Sequence, residues 1–98
     1  MSEYGILDGH KVKPVKDVIE WAQQFEGMNR RVEITEVGKV KVSTVFLGLD
    51  HGFGGTPQWF ETMVFGGKLD QEQERYGTWD EAEAGHRAMV ARVAKAGA

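Results

Sequence analysis

Residues 39–49 read KVKVSTVFLGL, and the reading of this stretch places the rest of the chain. Val40, Val42, Thr44 and Phe46 fall on one side of an extended chain, and Val45, Leu47 and Leu49 on the other. In the first half Lys39, Lys41 and Ser43 stand opposite the valines; the second half is apolar on both sides. A strand that changes in this way runs from a solvated end into a centre covered on two faces. Upstream, residues 31–37 alternate, with Val32, Ile34 and Glu36 opposite Glu33, Thr35 and Val37, and Gly38 supplies the turn between the two strands. Downstream, residues 58–65 (QWFETMVF) read as a third strand, with Trp59, Glu61, Met63 and Phe65 opposite Phe60, Thr62 and Val64. Gly66 and Gly67 close it.

Helices flank this unit. Thr78 and Glu81 form a T-x-x-E capping box, so a helix starts at Thr78 and carries the apolar stripe Trp79, Ala82, His86, Met89, Val90 and Val93. An earlier helix is expected from Pro14 or Val15 to Glu26, its stripe made by Val15, Val18, Ile19, Ala22 and Phe25, with Trp21 at the edge and Gly27 as the stop. Residues 4–7 suit a short edge strand ended by Asp8 and Gly9. Residues 11–14 are extended, because a residue before proline avoids the helical region. Residues 68–77 are polar and acidic and read as a loop. The order β-α-β-β-β-α implies an α+β fold in which an antiparallel β-meander of three to four strands packs two helices on one face. Residues 1–98 are expected to form a single domain. The second sheet face then lacks a cover, which predicts a homodimer or larger homo-oligomer with a seam at Val45, Leu47, Trp59 and Phe60.

Composition excludes several classes of function. The 98 residues carry a net charge of −3, against the excess of Lys and Arg that a duplex-DNA surface needs. The absence of cysteine removes disulfides, thiolate metal sites and thiol nucleophiles. No apolar run is long enough to span a bilayer, and the first residues lack the pattern of a secretory leader, so a cytoplasmic location with no membrane partner is expected.

Three constellations carry chemistry. Residues 50–57 (DHGFGGTP) form a glycine-rich loop whose N–H groups suit a phosphate or carboxylate, although it matches neither the P-loop nor the dinucleotide pattern. Its plainer reading is a hairpin loop whose glycines make turns, with Phe53 in the core. The binding set that follows is Asp50, His51, Phe53, Gly54, Gly55, Trp59, Glu61 and Arg75. Second, Asp8, His10, Asp50, His51, Glu61 and His86 contain the groups for acid–base work, but their spacing resembles no metal-ligand motif, so no metal, catalytic residue or cofactor is assigned. His86, on an apolar helical stripe, reads as a core histidine with a hydrogen-bond partner. Third, the aromatic residues, with Arg30, Arg31, Arg75 and Arg87, offer stacking and phosphate contacts, or simply core packing and a dimer seam.

The blocks VSTVFLGLDH (42–51), Phe53-Gly54-Gly55, FETMVFG (60–66) and TWDEAEAGH (78–86), with ILDGH (6–10), Glu20-Trp21-Ala22 and Tyr76, resemble a family of small uncharacterised phage and prophage accessory proteins. The family often has a second proline beside Pro57, where this chain has Gln58; the resemblance therefore implies a less rigid loop here. It also implies a setting inside an infected bacterium and a non-enzymatic binding protein that counteracts a host defence, with a host defence protein or a nucleotide signal as its target. The residues leave open a small hydrolase built on His10, Asp50, His51 and Glu61, and a structural component of the phage.

Overall fold

A computed structural model describes residues 4–50 and 55–97. The elements are β1 (Tyr4–Asp8), β2 (Lys11–Val15), α1 (Val18–Glu26), β3 (Arg31–Val37), β4 (Val40–Phe46), β5 (Phe60–Phe65), β6 (Gln73–Tyr76) and α2 (Trp79–Lys95). The fold is α+β, as expected: β3-β4-β5-β6 form a four-stranded antiparallel meander, and β1-β2 form a separate antiparallel hairpin. The alternation in β4 sets the core, with Val40, Val42, Thr44 and Phe46 all buried. Along β5, Phe60, Thr62 and Val64 share that face. Helix α2 covers it with Ala82, His86, Met89 and Val93.

Two strands escape the sequence reading. Residues 11–15 pair with β1, so Pro14 and Val15 are strand residues and α1 begins at Val18. Pro14 is tolerated because β2 pairs only with β1 and so has a free edge, where a missing N–H costs little. The helix start is fixed by Asp17, whose Oδ1 accepts from the N–H groups of Ile19 at 2.9 Å and Glu20 at 3.4 Å. Residues 73–76 have no apolar alternation, yet they pair with β5 from Phe60↔Tyr76 to Met63↔Gln73.

The apolar face of α1 also differs from the expected one. Trp21 and Phe25 are half-buried, whereas Val18 and Ile19 are 46% and 67% exposed. Two aromatic rings bury more area than the smaller side chains, and they set the rotation of the helix. Trp21 Nε1 donates to the Gly5 carbonyl at 2.9 Å, tying α1 to the hairpin, and Phe25 reaches Phe46 on the covered face of the meander. Gly48, at φ +77°, permits this junction: a Cβ there would overlap the Phe25 ring.

The core falls into two clusters. Val40, Val42, Val64, Met89 and Val93 fill one end; Phe46, Trp59, Phe60 and Ala82 fill the other, joined by Val12, Phe25, Val32, Tyr76 and Trp79. Val32 is in phase with Ile34 by simple alternation, but a register shift between Arg31 and Glu33 turns it inward. Trp59 and Phe60 are 6% and 0% exposed within this chain, so they are core residues and not the expected seam. Val45 and Leu47 are half-buried. The face of the meander away from α2 carries Ile34, Val45, Met63 and Phe65. Among the described residues no helix is long and apolar enough to cross a membrane.

Candidate functional site

Thr78 caps α2 as the sequence indicates: its Oγ1 accepts from the Glu81 N–H at 3.1 Å and α2 begins with Trp79, while the Glu81 carboxylate accepts from the Thr78 hydroxyl and not from its backbone N–H. The tight turn of the β1–β2 hairpin lies at Gly9 and His10, with Gly9 at φ +64°. These two local features meet. The His10 imidazole stacks on the Trp79 indole, with ring centroids 4.0 Å apart and planes 7° from parallel. They line a cleft of about 580 Å³ whose other walls are Lys11, Val12, Trp59, Gly77, Thr78 and Asp80. The Phe60 and Trp79 rings meet edge to face, with centroids 6.1 Å apart and planes at 87°. Among the described residues the Trp79 indole N–H is buried and has no hydrogen-bond partner. A buried donor without an acceptor is expensive unless something supplies one.

A second polar arrangement lies under α2. His86 is fully buried; its Nδ1 is 2.7 Å from Thr44 Oγ1, and its Nε2 is 2.8 Å from Thr35 Oγ1 and 3.4 Å from the Glu33 carboxylate. Thr44 Oγ1 in turn meets Thr62 Oγ1 at 2.5 Å. A neutral imidazole satisfies both ends: Nδ1 accepts from Thr44, and Nε2–H donates to Thr35. Burial lowers the His86 pKa; Glu33 opposes this and Arg87 adds to it. The Tyr76 hydroxyl comes up beside Thr62 without completing a hydrogen bond, and burial, more than any other cause, raises its pKa. The line is closed by α2 and the sheet. It is the core histidine expected from its place on the helical stripe, with one more hydroxyl partner than expected.

The expected binding set is not gathered in one place. Trp59 lines the cleft. Glu61 and Arg75 pair across β5 and β6 at 3.0 Å, and Glu61 stands in register with Val45, on the sheet face away from α2. Asp50 Oδ1 accepts from the Gln58 N–H at 2.8 Å and so braces the connection into β5. Gly55 is an exposed bend residue. His51, Phe53 and Gly54 lie outside the described residues. Among the described residues no group of three or more His, Asp or Glu side chains is placed to hold a metal ion.

Sequence reasoning missed Lys11, Val12, Gly77, Thr78, Trp79 and Asp80 as cleft residues. The capping box located the last three on the chain, but only the docking of the hairpin against the start of α2 brings them to His10. No known family model, curated protein or solved structure matches this chain.

Proposed function

We propose that this chain is a non-enzymatic accessory binding protein that takes a small planar ligand into the cleft between the β1–β2 hairpin and the start of α2. The observation that carries this reading is the His10–Trp79 stack, which presents parallel aromatic rings at a cleft of about 580 Å³. That volume falls in the range of small-molecule sites. Trp59 supplies a second indole and Lys11 a cation. A base stacks on an aromatic face that the His10–Trp79 contact leaves open, whatever the base's identity, and Lys11 favours an attached phosphate. A nucleotide signal therefore suits the cleft better than a flat protein surface does. The resemblance to phage accessory proteins adds the setting: a bacterial cytoplasm in which sequestering such a signal blunts a defence.

The test is titration of the purified chain with mono-, di- and cyclic nucleotides, followed by tryptophan fluorescence and calorimetry. Saturable binding is expected, and Trp79→Leu and Lys11→Glu should each abolish or weaken it. If no nucleotide binds and native mass spectrometry of protein from an expressing bacterium finds no retained mass, the cleft reading fails. The weight then moves to a host protein as target.

A further inference from the structure

We infer that the sheet face turned away from α2 is the interface of a two-fold homodimer, with Arg31 of each copy against Glu36 of the other. Residues in register across an antiparallel sheet point to the same side. Val42, Thr44 and Phe46 point to the core, so Lys41, Ser43 and Val45 point away. Their partners on β3 are Glu36, Ile34 and Arg31, and on β5 they are Phe65, Met63 and Glu61. The open face thus has three rows. The middle row is Ile34, Ser43 and Met63. Ile34 and Phe65 on this face are 37% and 44% exposed.

The charges on this face are unequal in their needs. Glu61 is closed by Arg75 at 3.0 Å, and the Lys41 ammonium sits 5.0 Å over the Phe65 ring. Among the described residues the side chains of Arg31 and Glu36 make no ion pair; they stand in the two end rows of β3. A two-fold axis lying across the strands through the middle row exchanges the end rows. It brings Arg31 over the partner's Glu36 and Glu36 over the partner's Arg31, and it sets Ile34 and Met63 against their own copies. An axis along the strands instead exchanges β3 with β6 and puts Arg31 over the partner's Arg75, like charge on like. The same axis sets Lys41 over the partner's Val45 and Glu61 over the partner's Phe65, so it is the two Arg31–Glu36 contacts that select the first arrangement and point to a second copy as the occupant. The result is aligned sheet-on-sheet packing, the ordinary way to cover two apolar sheet faces. This interface is independent of the cleft, which lies at the hairpin and the start of α2.

The test is sedimentation and native mass spectrometry of the full chain. The wild type is expected to be dimeric. Arg31→Glu and Glu36→Arg each create two like-charge contacts and should raise the dimer dissociation constant at least about tenfold. An equimolar mixture of the two variants, one isotopically labelled, restores every opposite-charge contact and should give a heterodimer as tight as the wild type. Circular dichroism checks that each variant is folded. A monomeric wild type, single variants that dimerise unimpaired, or a mixture with no heterodimer would each overturn the inference. A dimer broken only by Ile19→Asp would overturn it too, by placing the contact on α1.

Discussion

His86 Nδ1 lies 2.7 Å from Thr44 Oγ1 at the centre of the contact between α2 and the sheet, where neither residue touches solvent. Burial beneath α2 favours the neutral imidazole, against the pull of the Glu33 carboxylate 3.4 Å from Nε2. Burial holds the folded-state pKa of His86 below its ordinary value of 6.5. The unfolded chain therefore takes up a proton that the folded chain refuses. The stability tied to this group is complete above about pH 6.5 and is lost as pH falls from there through the folded-state pKa. Denaturation of the wild type and His86→Gln at about pH 7.5 and about pH 5 separates this effect from the titration of the carboxylates. The wild type should lose more stability on acidification than the variant; equal losses would remove His86 as the cause. At neutral pH the substitution should cost about 2–3 kcal/mol, from imperfectly satisfied hydroxyls and altered packing.

Gly85 sits within α2 directly against Tyr76, and a Cβ at that position would overlap the tyrosine ring. Two effects oppose each other in Gly85→Ala. Helix propensity favours alanine by about 1 kcal/mol. The overlap forces Tyr76 or the helix to shift, at about 1–3 kcal/mol. The clash should win, giving a net loss in urea melts. In a Tyr76→Ala background the same substitution should become stabilising. If its sign does not change there, Tyr76 is not what glycine accommodates.

How legible these relationships were depends on whether a residue's role is local. The alternation of β4 and the helix cap at Thr78 are encoded within a few residues, and both stand where the sequence puts them. His86 was readable as a core histidine because its neighbours on the helix are apolar. By contrast, β6 is a strand only because β5 offers it an edge; its residues Gln73, Glu74 and Arg75 carry no apolar period. The rotation of α1 depends on what Trp21 and Phe25 find on the hairpin and on Phe46, so a simple apolar stripe chose Val18 and Ile19 wrongly. The cleft is the least legible feature. It needs His10 and Trp79, far apart in sequence, and no spacing rule joins a hairpin turn to a helix start. Trp59 was expected both in the binding set and in the seam; it is buried within this chain, which removes it from the seam, and it lines the cleft.

Trp21 makes the polar link between α1 and the hairpin, donating from Nε1 to the Gly5 carbonyl at 2.9 Å while stacking on Phe25 with centroids 4.8 Å apart. Trp21→Phe keeps an aromatic ring and removes the donor, so it should cost about 1 kcal/mol. The loss should be local, because α1 has no fully buried residue and contributes less to the core than α2 does. Amide hydrogen exchange should therefore speed up in residues 4–26 and stay unchanged in α2. Uniform acceleration across both regions would mean that the hairpin and the meander unfold as one unit.

Glu61 and Arg75 tell a pocket residue from a face residue. Their side chains are 15% and 32% exposed, and they meet at 3.0 Å across β5 and β6, on the opposite side of the sheet from α2. In the isolated chain a partly exposed pair of this kind stabilises by about 0.5–1 kcal/mol, and added salt weakens it. A double-mutant cycle with Glu61→Gln and Arg75→Gln should return a coupling of that size. Neither change should alter ligand binding in the cleft, whose walls are Trp59, Trp79 and the hairpin turn. Lost nucleotide binding in a folded Glu61→Gln would move the site to the open sheet face, where the dimer contact is placed, and the two could not then coexist.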